Sequence, residues 1–101
     1  LANNLIGNTG GDGVFINGGN DVVMSGNRIA DNANAAIRMY NCSNFSVSGN
    51  VLSGGVNNMY LGGDLTTGTI NGNVGYKASG QPLVQGATMS GVNLYGNPGM
   101  N

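Results

Sequence analysis

Glutamate, histidine and tryptophan are absent from the 101 residues, proline occurs twice and cysteine once. Each shortage removes a class of chemistry. Without His the commonest proton shuttle is gone, and one Cys with no His leaves no ligand set for zinc or iron. Cys42 has no partner for an internal disulfide and reads as a small buried apolar side chain. Three cations and a net charge of −1 leave no electrostatic footprint for nucleic acid and no polybasic surface for a membrane. No apolar run exceeds four residues, where a membrane-spanning helix needs about 20. Leu1-Ala2-Asn3-Asn4 has neither the basic nor the apolar region of a signal peptide. The chain is therefore expected to be a piece of a longer protein or a mature product, with its localisation signals elsewhere. No cofactor and no metal are expected.

What is present is glycine, 20 residues, and asparagine, 18, with 40% apolar residues. That balance is unlike disorder, which goes with high net charge and low hydrophobicity. The length bounds one domain. The chain also repeats itself, which governs any further reading. Ser25-Gly26-Asn27 returns as Ser48-Gly49-Asn50 and as Asn71-Gly72-Asn73, both times after 23 residues. Weaker copies are read at Gly7-Asn8 and at Gly91-Val92-Asn93. A strand-like element precedes each marker: Val14-Phe15-Ile16, Ile37-Arg38-Met39, Met59-Tyr60-Leu61 and a poorer Pro82-Leu83-Val84. A third short element follows, as in Arg28-Ile29-Ala30 and Val51-Leu52-Ser53.

Each repeat thus holds three short extended pieces separated by Gly and Asn turns, and Gly and Asn are the residues that tolerate a left-handed backbone. No stretch is free enough of Gly, Asn clusters and β-branched residues to favour helix. Three short strands cannot bury an apolar face alone, whereas stacked coils share one core and pair each strand with its copy. The period places Val14, Ile37 and Met59 in one inward column and Ile16, Met39 and Leu61 in another. It stacks Asn27, Asn50 and Asn73 as an amide ladder. The expectation is an all-β, single-stranded parallel β-helix of about four coils of 22–23 residues, regular over residues 3–75 and irregular over 76–101.

The best-matching stretches are Asp12-Gly13-Val14-Phe15-Ile16, Asn20 to Ile29 and Asn44 to Leu52. On these the chain resembles the pectin-lyase-like right-handed β-helices, a group of pectate lyases, polygalacturonases, alginate epimerases and bacteriophage tailspikes. The motif fixes coil geometry and is shared by many activities. The resemblance implies contact with an acidic or branched polysaccharide along the outer face of the stacked strands. The Gly- and Asn-rich, charge-poor style is most similar to a tailspike, which implies a virion-surface or extracellular location and a homo-oligomer, a trimer in tailspikes. Four coils with bare edges also invite pairing with other chains.

Glycoside hydrolysis needs two carboxyl groups, and the candidates are Asp12, Asp21, Asp31 and Asp64. The period puts Asn34 and Asn57 under Asp12 and Asn44 under Asp21, so each Asp is read first as a turn residue. Asp12 and Asp21 are the weak catalytic candidates; the family's catalytic motifs have no counterpart, and this segment itself is expected not to be catalytic. Gly10-Gly11-Asp12-Gly13 and Gly18-Gly19-Asn20-Asp21 are similar to calcium β-roll repeats. However, Phe15 stands where a liganding Asp belongs, and the spacing is eight instead of nine.

The outward positions carry the candidate binding surface. Phe15, Arg38 and Tyr60 form one column, with Asn17 and Tyr40 in the next. Rings stack on the apolar faces of sugars, while guanidinium and amides bond hydroxyl or carboxylate groups. The same rings also suit packing beneath a loop or against another subunit. Three functions follow: a tailspike or similar adhesin binding bacterial surface polysaccharide, part of a secreted polysaccharide lyase, hydrolase or C5-epimerase, or a structural spacer with no ligand.

Overall fold

The computed structural model describes residues 1–7 and 9–101. Among them ten strands follow one another: β1 (Leu5–Gly7), β2 (Val14–Asn17), β3 (Asn20–Ser25), β4 (Arg28–Ala30), β5 (Ala35–Ser48), β6 (Val51–Ser53), β7 (Asn57–Asn71), β8 (Val74–Tyr76), β9 (Leu83–Gln85) and β10 (Thr88–Tyr95). All their pairings are parallel, each joining a strand to its copy one coil along. The protein is a parallel β-helix of about four coils, as the repeat predicts.

The three pieces per coil form two sheets rather than three. One is the sheet β1-β4-β6-β8; the other contains the remaining six strands. In the long strands β5 and β7 the chain turns a corner without leaving the ladder. Single residues with left-handed backbone make the bend: Asn41 and Asn44 at φ 54°, Gly63 at 63° and Thr67 at 56°. Gly18, between β2 and β3, and Asp21, near the start of β3, do the same at φ 82° and 58°. Because the bends stack coil on coil, parallel pairing survives the corner.

The variable period has a local cause. Up to Tyr40↔Gly62 the offset between β5 and β7 is 22 residues; from Cys42↔Leu65 it is 23, with the register shift falling at the corner. The step into the last coil is 24, as Met59↔Leu83 and Ile70↔Leu94 show. This extra residue corrects several expectations. Beyond Tyr76 the pairing continues through β9 and β10. Leu83, not Pro82, lies beside Met59. Gly91 belongs to the corner with φ 66°, so Gly91-Val92-Asn93 is not a marker; the marker copy is Gly96-Asn97, with Gly96 at φ 61°. At the other end the copy is Asn3-Asn4, where Asn3 takes φ 55° and Asn4 bonds Asn27. Gly7 instead pairs Ala30 within β1, and Asn8 lies outside the described residues.

Strand alternation fills the interior. Ile37, Met39, Met59, Leu61, Leu65, Ile70, Val47 and Leu52 are fully buried, each such side chain contributing about 1.5–3 kcal/mol relative to exposure. Phe45 fits because its stacked neighbour is Gly68: a Cβ there would stand 2.6 Å from the Phe45 ring. Cys42 is buried in the same core. Along one edge the amides of Asn4, Asn27, Asn50, Asn73 and Asn97 form a continuous ladder, each side-chain nitrogen donating to the next side-chain oxygen at 2.8–3.1 Å. The same nitrogens of Asn27, Asn50, Asn73 and Asn97 also bond backbone carbonyls, at 2.9–3.1 Å.

Candidate functional site

The face built by β2, the first half of β5, the first half of β7 and β9 positions the outward residues. Val14 and Ile16 pack against the core, so period two sends Phe15 out, and parallel register lines it up with Arg38 and Tyr60. Asn17, Tyr40 and Gly62 form the next outward column. The structure therefore brings Phe15, Arg38, Tyr40 and Tyr60 together as the period predicts.

The contacts are specific. Tyr40 meets Phe15 edge-on at a ring separation of 5.7 Å and Tyr60 at 5.9 Å. Its ring lies across Gly62, where a Cβ would stand 2.6 Å from the Tyr40 Cε1. The Arg38 guanidinium sits over the Tyr60 ring, 4.4 Å from its centre, and donates from Nη1 to the Tyr40 hydroxyl at 3.3 Å. The Tyr60 ring on one side and the Tyr40 hydroxyl on another hold this cation in place.

Asp12 completes the arrangement. Its Oδ2 accepts from Arg38 Nε at 2.9 Å and its Oδ1 from the Ala35 amide at 3.0 Å. The register also corrects the alignment of this residue. Gly13 bonds the Ala35 carbonyl and Asn34 bonds the Gly11 carbonyl, so Asp12 lies beside Ala35, not Asn34; Asn57 does follow Ala35 one coil on. Burial alone would lower the Arg38 pKa, but the hydrogen bond and charge of Asp12, helped by Tyr40, outweigh it and raise it. The guanidinium is thus a permanent cation. Among the described residues its Nη2 has no hydrogen-bond partner, leaving a donor for an incoming acceptor.

Asp21 lies on a different face. With φ 58° it occupies the corner column above Asn44, Thr67 and Gly91. It lines a groove of about 550 Å³ that runs over the second half of each long strand, past Val23, Ser46, Thr69 and Asn93. The two weak catalytic candidates therefore belong to opposite sides of a corner and do not form a carboxylate pair. This groove was missed by sequence reasoning. Two of its lining positions are glycines, Gly68 and Gly91, and a depression made by missing side chains on adjacent coils shows only once the 24-residue step is known.

The family model described as a right-handed beta helix region matches residues 1–100. No curated protein and no solved structure matches the chain.

Proposed function

The chain belongs to the right-handed β-helix family, and from that premise we propose that it is the polysaccharide-binding part of a surface adhesin of the tailspike kind, exposed outside the cell or on a virion and acting as a homo-oligomer. Its binding face is Phe15, Arg38, Tyr40 and Tyr60, and its ligand is an acidic glycan of a bacterial surface. The observation that carries this reading is the fixed Arg38 guanidinium. Asp12 holds one edge, Tyr60 lies beneath it, and Nη2 remains available to a carboxylate. Phe15, 55% exposed, supplies the apolar surface on which a sugar ring stacks. Pre-positioning spares the side-chain ordering that a free arginine loses on binding.

The test is binding of uronic-acid oligosaccharides and of neutral oligosaccharides of equal length, followed by NMR on labelled protein. Preferential binding of the acidic series, with shifts centred on Phe15, Arg38 and Tyr60, is expected. The reading fails if shifts at these residues are absent while the protein is folded.

A further inference from the structure

The groove on the other side of the corner has a chemistry of its own. Its volume, about 550 Å³, falls within the range of ligand sites, about 300–1,000 Å³. The lining contains hydroxyls from Ser46, Thr67 and Thr69, amides from Asn44 and Asn93, and a floor that includes Val22 and Phe45. Its only charged lining residue is the Asp21 carboxylate. An anionic chain would meet repulsion there and no compensating cation, in contrast to the Arg38 face. A neutral, hydroxyl-rich chain meets an acceptor in the first coil and donors and acceptors in the next three, above an apolar floor. Coils repeat at about 4.8 Å along the stack, close to the rise of one sugar unit in an extended chain.

A second observation points to the same place. The corner column reads Asp21, Asn44, Thr67, Gly91, and all four have positive φ. Gly, Asn and Asp take that conformation readily; a β-branched residue does not. Thr67, at φ 56°, is the one β-branched residue with positive φ among the described residues. Gly or Asn would relieve the strain, so the hydroxyl stands here at a cost to stability, and strained positions of this kind cluster at functional sites. A Cβ on Gly91 would stand 3.7 Å from the Thr67 hydroxyl oxygen, and with no side chain there the hydroxyl stays uncovered on that side.

We infer that the groove between Asp21 and Asn93 is a second carbohydrate site, separate from the Arg38 face, which takes a neutral oligosaccharide laid along the stack and bonded by Thr67 and Thr69. The experiment titrates cello- and malto-oligosaccharides into the wild type and into the Thr67→Gly and Thr69→Val variants, with melting temperature measured in parallel. The wild type is expected to bind at least one series. Thr67→Gly is expected to melt no lower than wild type yet bind roughly five- to tenfold more weakly, the loss appropriate to one neutral hydrogen bond. Thr69→Val, which keeps the side-chain shape, is expected to weaken binding by a similar factor. Unchanged affinity in both variants overturns the inference, as does a wild type that binds neither series at millimolar concentration. Neutral binding lost in Tyr60→Ser but kept in Thr67→Gly places the sugar on the other face and overturns it too.

Discussion

Asn50 donates its side-chain amide to the side-chain oxygen of Asn73 at 2.8 Å and, in the opposite direction along the stack, to the Met24 carbonyl at 3.1 Å. One buried amide thus spans three coils. Its own oxygen accepts from both the backbone and the side chain of Asn27, each at 2.9 Å. Asn50→Ala therefore strands the Asn27 backbone N–H and the Met24 carbonyl in the interior. At about 1–3 kcal/mol for each orphaned buried group, the variant is expected to lose about 2–5 kcal/mol in urea denaturation. Asn4→Ala, at the partly exposed end of the ladder, should lose much less. Equal losses at the two positions would contradict this description of the ladder.

Phe45 and Gly68 form a matched pair across neighbouring coils. Gly68→Ala drives a methyl into the Phe45 ring and is expected to cost about 1–3 kcal/mol, the usual penalty for overpacking. Phe45→Leu alone leaves a void, also at a loss. Combined, the two changes should recover part of the stability, giving a coupling free energy of opposite sign to the single effects. Strict additivity in thermal or chemical melts would mean that the ring is free to move aside.

The corner distinguishes residue types by backbone rather than contact. Asn44 has φ 54°, so Asn44→Val should be less stable than Asn44→Gly by more than about 1 kcal/mol. Some loss is common to both, because the Asn44 amide donates to Asn20 Oδ1 at 3.0 Å. A valine variant as stable as the glycine variant would remove the argument from backbone strain, including that for Thr67.

Asp12 has two separable tasks, which isosteric replacement resolves. Asp12→Asn keeps an acceptor for the Ala35 amide but loses the charge opposite Arg38; Asp12→Ala loses both. The Ala variant should be less stable than the Asn variant by about 1 kcal/mol, the net worth of an ordinary hydrogen bond. In any longer protein that carries this chain and turns over polysaccharide, Asp12→Asn and Asp21→Asn should leave turnover intact, because the two carboxylates lie on different faces. Loss of turnover in both would put catalysis back on this pair.

Much of this structure can be read in the sequence where the repeat is strict. The inward columns through Ile37 and Met39, the ladder through Asn27, Asn50 and Asn73, and the strip Phe15, Arg38 and Tyr60 all follow from a constant period and strand alternation. Reading failed where the coil length changes. A residue inserted at a bend costs little, since the ladder resumes on either side of the unpaired bend residues, but it shifts every later column. The marker Gly96-Asn97 therefore falls outside a constant period, and Gly91, a corner glycine, resembles a marker. At the other end Asn3 replaces glycine in a left-handed position, which hides the first rung. The Asp12–Arg38 pair joins residues 26 apart, one coil plus three, a spacing no motif announces. The groove depends on side chains that are missing from adjacent coils, which a single coil does not reveal.

The proposed ligand of the guanidinium fixed between Asp12 and Tyr60 is the carboxylate of an acidic sugar. A crystal structure of the protein soaked with a uronic-acid oligosaccharide tests it most directly. The expected result is a sugar ring against Phe15 or Tyr60, with its carboxylate within hydrogen-bonding distance of Arg38 Nη2 and the Asp12–Arg38 pair intact. A bound oligosaccharide seated on another face, with Arg38 untouched, would contradict it.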